Sequence, residues 1–279
     1  TTLTSATPSG TWTSSNTSQA VVGGGTGIVT GVAAGIPVIS YTLSTGCYVT
    51  APVTVNANPA IITGANNVCT GATIGLSNAT AGGTWSSSHA TRATVVSGTG
   101  VVTGVATGTP NITYTLPTGC IAVFPITVNQ TPAAITGVMS VCTGSTTTLA
   151  NGTVGGSWSS SNTSIATVIS GTGVVSGIAA GTVTISYVMP TGCYALATVT
   201  VNQTPVAITG TTSVCVGLTT TLANTTSGGT WSSSNTAEAT VGSTTGIVTG
   251  VAVGTPDITY TMPTGCFTST NITVNPTPA

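Results

Sequence analysis

The sequence has almost no charged side chains. Its 279 residues include one Lys or Arg, two Asp or Glu and one His, whereas about a quarter of an average soluble domain is charged. This shortage argues against nucleic acid or an anionic membrane as a partner, because both require several basic side chains. The only carboxylate side chains, Glu238 and Asp257, are too few for repeated calcium sites or for acid–base catalysis. We therefore expect no enzymatic activity and no catalytic, cofactor-binding or metal-binding residue.

Long apolar runs are also missing. Mean hydropathy is +0.50, yet apolar residues alternate with Thr and Ser, and Gly and Pro interrupt every run. A transmembrane helix takes about 20 consecutive apolar residues, so we expect no membrane insertion. No signal peptide is visible. Because Thr1 is not an initiator residue, we expect a processed chain or a fragment.

What the sequence does contain is a repeat. Each tryptophan is followed by a run of Ser, Thr and Asn, as in Trp158-Ser159-Ser160-Ser161-Asn162, and successive tryptophans are 73 residues apart. The four are Trp12, Trp85, Trp158 and Trp231. A fixed period of this length is typical of small domains in tandem.

The period divides the chain into four predicted domains, called repeats 1 to 4 below. Their boundaries are 1–58, 59–131, 132–204 and 205–277, and residues 278–279 are a tail or the start of a further repeat. Repeat 1 lacks the segment that repeat 2 has at 60–73, including its first strand and its Val-Cys pair. The chain thus begins and ends at nearly the same phase of its own period.

Within one repeat the pattern predicts seven short β-strands. In repeat 3 apolar and polar residues alternate over 134–136, 146–150, 156–160, 166–169, 173–177, 182–187 and 197–201, with Gly, Pro and Asn between the runs. Such alternation is typical of strands with one buried face, and seven of them in about 73 residues indicate a β-sandwich. We predict an all-β tandem array of immunoglobulin-like sandwiches. The four tryptophans are expected in the cores, on the third strand.

These elements resemble a known family. The run from Trp158 to Asn162, then Ala166-Thr167-Val168, then 173–177 and 180–185, resembles the bacterial immunoglobulin-like repeat of group 2, found in intimin- and invasin-type adhesins. The added Val-Cys-x-Gly and Thr-Gly-Cys are similar to a variant in giant repetitive surface proteins of gliding bacteria. The resemblance implies an extracellular, cell-surface location and a stalk or adhesin array with a role in attachment or surface motility. It implies no catalytic residue.

The cysteines form two periodic sets, which indicates structural disulfides and an oxidising compartment. Cys47, Cys120, Cys193 and Cys266 each follow Thr-Gly, and Cys69, Cys142 and Cys215 each follow Val. The favoured pairing lies within a repeat, as Cys69–Cys120, Cys142–Cys193 and Cys215–Cys266, and leaves Cys47 unpaired. Immunoglobulin topology places the two sets at opposite ends of a sandwich, so pairing between neighbouring repeats, as Cys69–Cys193 and Cys142–Cys266, stays open.

Three functional hypotheses follow. The first is a structural stalk or filament segment of a bacterial surface adhesin. Its expected partners are neighbouring repeats or copies of the same protein in a fibre, with surface glycans or another surface as the alternative. The second is a self-polymerising filament subunit, in which a neighbour supplies the missing first strand of repeat 1. The third is a module that binds ice or polysaccharide through Thr-rich faces such as Thr146-Thr147-Thr148.

Overall fold

The structure is a computed structural model that describes residues 1–278. The described chain contains strands, turns and bends, and no α-helix occurs within it. Contacts divide the chain into two compact units, Thr1–Gln130 and the residues from Thr131 onward, so each unit holds two repeats. The predicted all-β, immunoglobulin-like fold is confirmed.

The first unit contains fourteen strands. Repeat 1 has β1 (Gly10–Ser14), β2 (Ala20–Val22), β3 (Val29–Gly31), β4 (Val38–Leu43) and β5 (Tyr48–Pro52). Repeat 2 has β6 (Ile62–Gly64), β7 (Asn67–Cys69), β8 (Thr73–Asn78), β9 (Thr84–Ser87), β10 (Ala93–Val95), β11 (Val101–Gly104), β12 (Asn111–Thr115), β13 (Ile121–Pro125) and β14 (Thr127–Asn129). Repeat 1 therefore lacks counterparts of β6 and β7.

The described residues of the second unit form seventeen strands. Repeat 3 has β15 (Ile135–Gly137), β16 (Ser140–Cys142), β17 (Thr146–Asn151), β18 (Ser157–Ser160), β19 (Ala166–Val168), β20 (Val174–Gly177), β21 (Gly181–Val188) and β22 (Tyr194–Asn202). Repeat 4 has β23 (Thr209–Gly210), β24 (Ser213–Cys215), β25 (Thr219–Ala223), β26 (Thr230–Ser233), β27 (Ala239–Val241), β28 (Ile247–Gly250), β29 (Asp257–Thr261), β30 (Phe267–Asn271) and β31 (Thr273–Asn275).

Repeat 3 shows the sandwich most plainly. One sheet has the strand order β15-β17-β20-β19, and the other has the order β16-β22-β21-β18. The first strand of the fold is split: β15 pairs antiparallel with β17, and β16 crosses to the other sheet and pairs parallel with β22. The sequence pattern predicted the other seven strands of repeat 3 and missed β16.

The core lies between the two sheets of each repeat. In β21 every second side chain is buried, so that Val183, Ile185 and Tyr187 face inward and the intervening Thr and Ser face outward. Thr suits the outer face because it is both β-branched and polar. Four hydrophobic clusters result, and each draws its residues from one repeat.

Candidate functional site: the cysteine-linked junction

Each Thr-Gly-Cys motif forms a tight hairpin turn at the start of the last strand. In repeat 4, β29 and β30 are joined by Met262-Pro263-Thr264-Gly265-Cys266; the Met262 N–H donates to the Cys266 carbonyl at 2.8 Å and the Gly265 N–H donates to the Met262 carbonyl at 2.9 Å. Gly265 has a φ of +86°, which glycine adopts without the steric cost that a Cβ would bring. This turn fixes the position of the cysteine that follows it.

Each Val-Cys motif lies at the opposite end of the last strand. In repeat 3, Cys142 is in register with Asn202, the final residue of β22, whereas Cys193 immediately precedes that strand. β22 has 9 residues, which span about 30 Å at ~3.3 Å per residue. A disulfide needs Cα atoms about 4.4–6.8 Å apart, so the two cysteines of one repeat are too far apart to bond.

The structure instead joins neighbouring repeats. Cys142 of repeat 3 is bonded to Cys266 of repeat 4, with Cα atoms 5.7 Å apart and a sequence separation of 124. The favoured pairings Cys142–Cys193 and Cys215–Cys266 were therefore wrong. The alternative between neighbouring repeats is the one that the second unit shows.

The remaining cysteines agree with this correction. Cys69 and Cys193 are disulfide-bonded, whereas Cys47, Cys120 and Cys215 have free thiols. The favoured bond Cys69–Cys120 was therefore also wrong, because the Cys120 thiol is free. Cys47 is free and exposed.

Hydrogen bonds of the backbone and of threonine hydroxyls surround the Cys142–Cys266 bond. The Asn202 carbonyl accepts the Thr143 N–H at 2.9 Å and lies 3.9 Å from the Cys266 sulfur. The linker then turns back, since the Thr204 N–H donates to the Thr143 hydroxyl at 3.0 Å and the Thr204 hydroxyl donates to the Thr143 carbonyl at 2.7 Å. The side chain of Cys266 is fully buried. These contacts leave the start of the linker little freedom.

Three of the four tryptophans lie in the cores of their repeats. Trp85, Trp158 and Trp231 are each 7% exposed, and each packs against a tyrosine with ring centroids 4.8 Å apart. Trp12 of repeat 1 makes the same ring contact at 4.6 Å, but its side chain is only partly buried. The difference reflects the strands that repeat 1 lacks.

The tyrosine partners are structural residues that the sequence reasoning missed. In repeat 3 the Tyr187 hydroxyl donates to the Thr153 carbonyl at 2.6 Å and accepts the Gly156 N–H at 2.9 Å. The same pair of bonds occurs at Tyr41, Tyr114 and Tyr260. In repeat 3 these bonds attach the loop between β17 and β18 to the core. The 73-residue spacing of the tyrosines was the sequence signal that could have found them.

Comparison with known proteins supports the family prediction. Residues 122–192 match the model of the bacterial Ig-like domain (group 2), so the predicted resemblance is confirmed for that segment. A comparison with curated proteins finds no match. In the described residues, no helix has the length and apolar character needed to cross a membrane.

Solved structures of adhesive and surface-layer proteins are similar to this chain at low scores. Invasin, described as a bacterial integrin-binding protein, is 15% identical, with a TM-score of 0.35 over 95% of this chain and 72% of its own. Drosophila N-cadherin EC1-4 is 11% identical, with a TM-score of 0.25 over 100% and 94%. Domains 4-9 of the surface layer protein SbsC are 18% identical, with a TM-score of 0.21 over 99% and 58%.

Proposed function

We propose that the chain is a non-enzymatic structural segment of a bacterial cell-surface adhesin. The premise is that residues 122–192 match a bacterial Ig-like domain of group 2. The chain forms part of an extracellular stalk or fibre used in attachment or surface motility. Its partners are the neighbouring repeats or further copies of the same protein. The shortage of charged groups supports a structural role, because the common hydrolytic mechanisms need paired acids, bases or nucleophiles.

The observation that carries the proposal is the bond between Cys142 and Cys266. Force applied to the two ends of the chain is carried by this covalent bond and not by the chain segment between the two cysteines, whose sequence separation is 124. Repeats 3 and 4 can then lose their packing without lengthening the segment that the bond closes. This property suits a stalk that holds a cell to a surface under load.

The four predicted domains and their boundaries stay part of the proposal. The support is that each hydrophobic cluster lies within one predicted repeat. Disulfide formation also supports an oxidising, extracellular location.

Immunogold electron microscopy of intact cells that encode the chain tests the proposal. Antibodies raised against the purified, oxidised protein are expected to label fibres or stalks outside the cell without permeabilisation. An antibody against a cytoplasmic protein is the control for intact cells. Label that appears only after permeabilisation would refute the surface role.

A self-polymerising filament subunit is the second candidate. The observation that favours it is the small core cluster of repeat 1, which has three buried hydrophobic residues, Ala20, Val29 and Ile39, against eleven in repeat 3. Strand addition from a neighbour would complete such a core.

A further inference from the structure

We propose that the first half of β22, residues 194–198, is an interaction surface that pairs with the same residues of a second copy of this chain. The two strands run antiparallel across a twofold axis and join the sheets of two copies of repeat 3 edge to edge. This inference goes beyond the proposed stalk role, because it adds a lateral contact between stalks.

Only the second half of β22 has a neighbouring strand on each side. The sheet order is β16-β22-β21-β18, and β16 pairs with residues 200–202 alone. On the other side, β21 pairs with β22 from Tyr194 to Val201. Within the described part of the chain, residues 194–198 therefore have no strand on the side away from β21.

The alternation of hydrogen bonds along β22 decides which backbone groups lie on the open side. The Cys193 carbonyl accepts the Met189 N–H at 2.8 Å, so Cys193 and every second residue after it bond to β21. The Thr200 N–H points the other way and donates to the Met139 carbonyl at 2.9 Å. The residues whose N–H and C=O groups point the same way as those of Thr200, but lie beyond the reach of β16, are Tyr194, Leu196 and Thr198.

Sheet edges are usually protected by charged side chains or by proline. In repeats 1 and 2 the corresponding strands β5 and β13 end in Pro52 and Pro125, which have no N–H to donate. In repeat 4, Asp257 pairs with Asn271 of β30, so a carboxylate adjoins that edge. Repeat 3 has Thr198 at the proline position and contains no charged side chain. Its edge is therefore the one of the four that has neither protection.

The side chains on this edge suit a copy of the same strand. Tyr194 and Leu196 are 56% and 55% exposed, and Thr198 is also exposed. With Leu196 on the twofold axis, it lies opposite Leu196 of the copy, and Tyr194 lies opposite Thr198. This register pairs the outward N–H and C=O groups of all three residues and sets an aromatic ring against a β-branched side chain, a favourable cross-strand pair. The match is the reason for assigning the edge to a second copy rather than to an unrelated strand.

Hydrogen exchange of the full chain, measured for each residue by NMR at several protein concentrations, tests the pairing. Free thiols are alkylated beforehand, so that disulfides between copies do not contribute, and sedimentation equilibrium gives the fraction of paired copies. When about nine-tenths are paired, exchange at Tyr194, Leu196 and Thr198 should slow by about 10-fold, because it then proceeds only from unpaired copies. Ala195 and Ala197 are internal controls, since their N–H groups bond to β21 at every concentration.

Leu196→Lys places a charge on the open edge. It should weaken the association by about 10-fold or more, because two like charges then lie opposite each other and the apolar contact is lost. The matched control is Ile178→Lys, which adds the same charge to a side chain of similar exposure, 54%, after β20 in the other sheet. The control should associate as the unaltered chain does. Circular dichroism and urea unfolding check that both variants are folded.

A sedimentation mass of one copy up to about 1 mM, at the weak end of specific binding, would overturn the proposal. Association without slower exchange at Leu196 would also overturn it, because the contact would then lie elsewhere. Equal association of the two lysine variants would have the same consequence. None of these outcomes affects the immunogold test of the adhesin role, since surface labelling does not depend on the pairing of copies.

Discussion

Loss of the bond between Cys142 and Cys266 should lengthen the mechanically stretched chain by a defined amount. Cys69 is also disulfide-bonded, so the experiment uses a Cys69→Ser background, which removes that second covalent constraint. In this background the Cys142–Cys266 bond closes a segment of 124 residues that force on the two termini cannot extend. A stretched chain has at most ~3.3–3.6 Å per residue, so the Cys142→Ser variant should gain about 420 Å of contour length. Single-molecule pulling with an atomic force microscope or optical tweezers measures this gain directly.

The alternative pairing gives a different number. A bond from Cys142 to Cys193 would close only 51 residues, and its loss would release about 170 Å. Cys215→Ser is the matched control: its thiol is free in the structure, so this variant should behave as the background does. A gain near 170 Å for Cys142→Ser, or any gain for Cys215→Ser, would refute the reasoning.

Two further predictions concern the stability of repeat 3, measured as the free energy of unfolding in urea. Tyr187→Phe should lower it by about 1–3 kcal/mol, because two partly buried backbone groups lose their hydrogen-bond partner, and Tyr194→Phe on the exposed surface should leave it unchanged. Gly177→Ala should lower it by about 1–3 kcal/mol, since the added Cβ would lie 2.7 Å from the Cys142 carbonyl oxygen, whereas Gly171→Ala enters open space. An unchanged free energy of unfolding for Tyr187→Phe or for Gly177→Ala would contradict the contact that the variant is meant to change.

The fold was largely predictable because strand signals are local. The alternation of apolar and polar residues in β21 spans the whole strand, and the hydrophobic effect imposes that pattern on any strand with one buried face. β16 was missed although it is no shorter than β15 and β19, which also have three residues each. Its parallel pairing with β22 joins positions 60 residues apart, and no local pattern records such a partner.

The pairing of the cysteines was less predictable. The period separates them into two sets, but it does not say which end of the sandwich each set occupies relative to the next repeat. The decisive fact is the length of β22, which holds Cys142 and Cys193 about 30 Å apart. The tyrosine contacts were missed for a similar reason, because the loop carbonyl that each hydroxyl meets lies 34 residues away in sequence.

The measurement that tests the central claim most directly is disulfide mapping of the protein purified from its natural source without reductant, with free thiols blocked at lysis. Mass spectrometry of a non-reduced digest should show a cross-linked peptide that contains Cys142 and Cys266. Cross-links from Cys142 to Cys193 or from Cys215 to Cys266, or a free thiol at Cys142, would contradict the account.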